Sequence, residues 1–237
     1  MPKKLLKLAG STLVLALAAG PALAASAVTG TVTYNGKVPN LKPLDMAADP
    51  GCAAKHKGPV ASDVLVLGPG STMANVMVRV KGPVTGAYTA PAQPAIIDQK
   101  GCHYEPHVLG VMVGQTLKLK NSDGLLHNVH ALPKVNTPFN MAMPATRTEA
   151  DTKFGKEEGM FLVKCDVHGW MTAYVGVFAN PYFAVTGTDG KFSIANLPPG
   201  TYEIEAWHEK LGTKSGSVTV AADKPAKVDF TFAPPGS

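Results

Sequence analysis

Outside its first two dozen residues, this chain of 237 residues has no apolar stripe of helical period longer than two turns. That excludes a helical bundle and points to an all-β protein. Charge is sparse, at 16% Asp, Glu, Lys and Arg, and aromatics make up only 7%. Lys and Arg never cluster with interleaved aromatics, which argues against a nucleic-acid surface. No apolar run is long and uninterrupted enough to read as a membrane-spanning helix of the mature chain. Cysteine is scarce too, with only Cys52, Cys102 and Cys165.

The start of the chain gives those cysteines a context. Lys3, Lys4 and Lys7 precede a short apolar core from Leu13 to Ala19, and Ala22-Leu23-Ala24 has the small-residue spacing of a cleavage site. Residues 1–24 are therefore expected to be a signal peptide, and the mature protein to be exported and periplasmic. No Cys stands at the cleavage point, so no lipid anchor is expected. Losing three Lys and no acid lowers the formal charge from +5 to +2, so the apparent basicity belongs largely to the signal. In an oxidising compartment an odd cysteine count leaves one thiol to be explained.

Gly and Pro are plentiful, at 24 and 20, and they punctuate short runs of alternating apolar residues. Val28, Gly30, Val32 and Tyr34 share one face of a predicted strand ending at Asn35-Gly36, a tight-turn signal. Val76, Val78 and Val80 alternate with Met77, Arg79 and Lys81, and Leu117 and Leu119 with Thr116, Lys118 and Lys120. Phe161, Val163 and Cys165 point opposite to Met160, Leu162 and Lys164. Tyr202, Ile204 and Ala206 form another such set, as do Val228, Phe230 and Phe232. Asp189-Gly190 and Pro198-Pro199-Gly200 mark further turns.

The chemistry gathers in one stretch. Residues 165–171 read Cys-Asp-Val-His-Gly-Trp-Met, a Cys-x2-His-x2-Met pattern at a junction between strands. Upstream, the strand at 116–120 runs into Asn121-Ser122-Asp123-Gly124-Leu125-Leu126-His127-Asn128-Val129. One thiolate, two imidazoles and one thioether form the donor set of a blue-copper site, a trigonal His2Cys plane with a weak axial Met. Soft sulfur suits Cu(I) and imidazole also serves Cu(II), so one site can hold both states. A buried free Cys beside a surface His would leave the odd thiol unexplained. Zinc is disfavoured because Met is a poor zinc ligand, and a binuclear copper centre because the loop has a single Cys.

On these stretches, together with Pro106-His107-Val108 through Gly114-Gln115, residues 95–178 resemble a cupredoxin of the plastocyanin or amicyanin type. The short ligand loop is closest to amicyanins. The resemblance implies a Greek-key barrel or sandwich binding copper as Cu(II)/Cu(I) through His127, Cys165, His168 and Met171, with Asn128 tying the two ligand loops together. It also implies a His edge exposed at an apolar end, where protein redox partners dock. Trp170 would then pack under the loop or join that surface, and Met141, Met143 and Pro144 would line its rim or serve as core and turn residues.

The flanks have a different likeness. Gly30 to Pro39, Asn75 to Val78, Thr188 to Ile194 and Leu197 to Ile204 resemble a transthyretin-like or carboxypeptidase-regulatory-like β-sandwich. The whole chain resembles bacterial exported proteins described as methylamine-utilisation or plastocyanin-like. The expected arrangement is nested: residues 28–94 and 179–234 form one sandwich, with the cupredoxin at 95–178 inserted. The alternative is an enlarged cupredoxin followed by a separate sandwich. Cys52 and Cys102 are then expected to pair, clipping the 37–59 connection to the first cupredoxin strand; the alternative gives one of them to a metal site.

Among the other histidines, His103, His107 and His130 are candidates for hydrogen-bonded, surface or second weak metal positions. His208 is expected to bond within the sandwich and His56 to be solvated. The function that follows is single-electron transfer between exported partners, with copper handling as the alternative. A third reading, a sugar- or surface-binding module, lacks a stripe of aromatics in the sandwich. With no second strong His-rich constellation, the chain is not expected to be an enzyme.

Overall fold

The computed structural model describes residues 26–222 and 224–234; the signal peptide expected at 1–24 lies outside them. The chain enters one sandwich with β1 (Ser26–Tyr34) and β2 (Met77–Lys81), leaves it, and later returns. The excursion comprises β3 (Ala95–Lys100), β4 (His103–Glu105), β5 (Val108–Met112), β6 (Thr116–Asn121), β7 (His127–Ala131), β8 (Phe139–Met143), β9 (Glu149–Lys153), β10 (Glu158–Lys164) and β11 (Thr172–Phe178). The return comprises β12 (Phe183–Val185), β13 (Lys191–Leu197), β14 (Gly200–His208), β15 (Gly212–Val220), β16 (Ala226–Lys227) and β17 (Phe230–Phe232).

Two sheets, ordered β5-β11-β10-β7-β8 and β4-β3-β6-β9, make the inserted sandwich. The parallel pairs β5–β11 and β3–β6 require Greek-key crossovers rather than a simple meander. In the outer sandwich, β12-β2-β14-β15 forms one sheet, and β1 organises the other by pairing antiparallel with β13 and parallel with β16 and β17. β1 and β2 precede the insertion and their partners follow it, so the molecule is an all-β protein with one sandwich inserted into another.

Alternation builds both cores. β1 and β6 bury every second residue, and Val28, Val32, Leu117 and Leu119 are sealed from solvent. Gly30 lies where backbones touch: a Cβ there would come within 1.8 Å of the Val228 carbonyl oxygen. β2 is buried on both faces. Val78 and Val80 face the outer core, while Met77 packs with Val108 and Phe178 in a third cluster between the sandwiches. A second tie crosses the same junction, where His107 Nε2 meets Glu209 at 2.6 Å and Tyr174 donates to the same carboxylate at 3.2 Å.

Two turn signals end their strands without closing a hairpin. Asn35-Gly36 closes no hairpin: β1 ends at Tyr34, and the Asn35 N–H bonds to the Phe232 carbonyl instead. Pro198-Pro199-Gly200 carries the chain from one sheet of the outer sandwich to the other, since β13 pairs with β1 and β14 with β2. The connection from β1 to β2 holds a short helix, α1 (Pro50–Ala53). A disulfide from Cys52 to Cys102 pins it to the turn between β3 and β4.

The β14–β15 hairpin depends on a neutral imidazole. The backbone N–H groups of Lys210 and Leu211 both donate to Nδ1 of buried His208 at 3.3 Å. Burial pushes the His208 pKa down to about 4; the Glu209 charge opposes this, and His107 and Lys210 reinforce it. A folded-state pKa below the ordinary 6.5 means the stabilisation is complete above 6.5 and is lost as pH falls toward about 4. We expect urea midpoints to fall across that window, and a His208→Gln variant to lose that part of the slope.

Candidate metal centre

Adjacent strands of one sheet carry the candidate ligands. His127 opens β7, and Cys165 follows directly on β10, which pairs with β7 through Val163–Ala131 and Lys164–His130. The loop from Cys165 to Met171 folds back on itself. The Cys165 N–H donates to the Met171 carbonyl at 3.1 Å, and the Met171 N–H to the His168 carbonyl at 2.9 Å. This closure holds Cys165, His168 and Met171 on one tight loop. Ligand atoms of His127, Cys165 and His168 lie within 4.8 Å of one another, all three residues buried, and the Met171 side chain is buried in the core that includes Cys165.

The proton positions follow from the partners. His127 Nε2 lies 2.9 Å from Asp123 Oδ2, and His168 Nε2 lies 2.9 Å from Asp49 Oδ2. A carboxylate only accepts, so each Nε2 carries the hydrogen and each neutral ring presents a bare lone pair at Nδ1. Those two Nδ1 atoms face each other at 2.9 Å, with Cys165 Sγ 3.9 Å from that of His168. Facing lone pairs repel unless a proton or a cation lies between them. Burial disfavours charge on His127, but hydrogen bonds to Asp123 and Cys165 outweigh it and raise its pKa to about 9.

Similar balances hold nearby. Burial opposes ionisation of Cys165, but the His127 hydrogen bond and backbone N–H groups hold the thiol down at about 7. Burial likewise opposes ionisation of Asp123, yet His127, the N–H groups of Cys102 and Gly101, and Lys55 lower it to about 2. A depressed thiol beside two converging imidazoles is a soft-and-borderline donor set, and the residues present fit a type 1 copper ion.

Supporting residues extend outward from this set. Asn128 Oδ1 accepts from the Asp166 N–H at 2.7 Å and from Cys165 Sγ at 3.3 Å, while its Nδ2 donates to Asn140 and Asp166. It thus joins β7 to the ligand loop. The hydroxyl of buried Tyr104 donates to the Asn128 carbonyl at 2.5 Å. Trp170 packs against His168 with ring centroids 5.1 Å apart, donates to the Cys102 carbonyl and is partly buried. Met143 is buried in the core, and Met141 packs against it.

The remaining histidines each have a partner elsewhere. His103 bonds Asp63, His107 bonds Glu209, and His130 bonds Asp166. His56 is not simply solvated: its Nε2 lies 2.7 Å from the Gly101 carbonyl. The expected open His edge is the main difference. His168 is only 2% exposed because Asp49 and Cys52 sit on its outer nitrogen, at 2.9 and 3.5 Å. Sequence reasoning overlooked Asp49 and read Asp123 only as part of a loop. Asp49-Pro50 did carry a helix-start signal, an N-cap acid before Pro, but nothing local pointed it at His168.

Residues 173–233 match the model of the carboxypeptidase regulatory-like domain, beginning within β11 and running to the end of the outer sandwich. A search of curated proteins finds no match. Among solved structures the chain is similar to a copper-containing nitrite reductase from Thermus scotoductus SA-01, at 20% identity over 41% of this chain, with a TM-score of 0.34. That match spans only 25% of the reductase. It is similar as well to an amicyanin mutant in its Cu(I) form, at 23% identity over 44% of this chain and 98% of that one, TM-score 0.32. A purple cupredoxin from Nitrosopumilus maritimus shares 24% identity over 35% of this chain and 98% of that one, TM-score 0.30. The family match thus falls on the strands that complete the outer sandwich.

Asn128 gives a test of this construction. Asn128→Ala leaves the Asp166 N–H and the Cys165 thiol without their acceptor in a half-buried site, at a cost of about 1–3 kcal/mol. Urea unfolding of the metal-free protein is expected to register that loss, whereas Asn140→Ala, which removes two more exposed side-chain contacts, to Asn128 and Asp166, should cost less.

Proposed function

We propose that this chain is an exported type 1 copper protein that passes single electrons between protein redox partners in the periplasm. In this reading His127 and His168 would hold the copper through Nδ1, Cys165 through Sγ and Met171 through its thioether. One observation carries the reading: both outer imidazole nitrogens are committed to carboxylates, so two lone pairs and a buried free thiol converge on one point. Copper would supply a one-electron Cu(II)/Cu(I) couple there. The protein's part is to fix the donors at strand ends and in a self-bonded loop, so that little rearranges when the charge changes.

The reading assigns no substrate turnover. Among the described residues the two further groups of potential ligands, Asp49/Cys52/His168 and Cys102/Asp123/His127, each include a half-cystine, so neither stands as a separate centre. The export signal at 1–24 and the boundaries at 28–94, 95–178 and 179–234 belong to the same proposal. Copper holding without electron exchange is a second reading, favoured by the burial of His168.

Visible and EPR spectra of the protein with one equivalent of Cu(II), beside Cys165→Ser, test the proposal. We expect an intense thiolate-to-copper band and a narrow hyperfine splitting, both lost in the variant. A colourless protein, or a spectrum indifferent to Cys165, would refute the type 1 assignment. With the band present, measurable electron self-exchange favours the carrier and its absence the holding protein.

A further inference from the structure

We propose that Asp49 is a positioning residue of the metal centre: its carboxylate fixes the outer nitrogen of His168 and sets how strongly that imidazole donates. The inference rests on the copper reading above and assigns a role to a residue outside the inserted sandwich. Asp49 belongs to the connection between β1 and β2, 119 positions before His168. Its two oxygens do different work. Oδ1 accepts from the N–H groups of Gly51 and Cys52, at 2.7 and 3.2 Å, and so caps α1. Oδ2 faces His168 Nε2 at 2.9 Å.

The acid is held from several sides. The disulfide ties α1 to the turn at Cys102, and Lys55 just beyond α1 reaches Asp123 at 3.2 Å. Asp123 repeats the arrangement on the other imidazole. It meets His127 Nε2 and accepts from the N–H groups of Gly101 and Cys102, at 2.7 and 2.8 Å. Each ligand histidine is therefore held by a carboxylate that is itself held by the backbone at one half-cystine. Asp123 lies inside the inserted sandwich; Asp49 is brought from outside it and seals the imidazole that would otherwise reach solvent.

An anionic acceptor on Nε2–H fixes ring and tautomer and raises the basicity of Nδ1, which favours the more highly charged metal state. Asp49 should then hold the midpoint potential down. Asp49→Asn isolates the effect. Asn caps a helix as well as Asp, so α1 keeps its start, but charge and second acceptor are lost. Partners of this kind are worth about 10- to 100-fold in metal affinity. If only the Cu(II) state loses the lower figure, the midpoint rises by about 59 mV for one electron. Asp45→Asn removes the same charge from an exposed position on the same connection and serves as control.

Two readouts decide the matter. In the metal-free protein, nitrogen-15 NMR should find a downfield, exchange-protected His168 Nε2–H that Asp49→Asn abolishes and Asp45→Asn retains. In the copper-loaded protein, voltammetry should give a higher midpoint for Asp49→Asn alone. Equal shifts in both variants, or no shift with the NMR signal unchanged, would overturn the assignment. A protected signal in a protein that develops no copper–thiolate band would instead sink the copper reading, and the tuning role with it, while the contact itself stands.

Discussion

Everything at the centre depends on where two hydrogens sit. Because Asp123 and Asp49 take the Nε2–H of His127 and His168, both rings turn their lone pairs inward, toward each other and toward the Cys165 thiol. Hydrogen bonds from His127 to Asp123 and Cys165 outweigh its burial and raise its pKa. The cost of burying His127, His168 and Cys165 is offset by their hydrogen bonds to Asp123, Asp49 and Asn128. The surrounding detail, from the Asn128 bridge to the self-bonded ligand loop, keeps those donors from turning away.

The nested topology gains a physical reason from the cover over His168. The residues that close the outer imidazole lie between β1 and β2, on chain that precedes the insertion and buries Met46 and Cys52 in the inserted core. The Cys52–Cys102 disulfide fastens this connection to the inserted sandwich. On the opposite side of the chain's excursion, Met77, Val108 and Phe178, with the His107–Glu209 pair, pack the two sandwiches together. Outer and inserted sandwiches are thus joined both at the candidate site and away from it.

Much of this could be read from residue order, and the failures have a common cause. Strands β1, β6 and β10 follow their alternation, because burying one face of a sheet enforces a two-residue period. His127, Cys165 and His168 were legible as a group because their donor chemistry is rare in combination, and the structure brings their ligand atoms together. Asn35-Gly36 does end β1, but the strand finds its partners at the far end of the chain, a pairing that local turn chemistry does not encode. Asp49 was hidden for the same reason. Its local role is a helix cap, and its contact with His168 exists only once the connection folds over the site. The buried His168 edge follows from that contact and could not precede it.

X-ray absorption at the copper edge, on the protein loaded with one equivalent and frozen in each oxidation state, tests the central claim most directly. The account predicts two imidazole nitrogens and one short sulfur path in both states, with nearly the same distances. A spectrum without the sulfur path, or one that loses an imidazole on reduction, would contradict it.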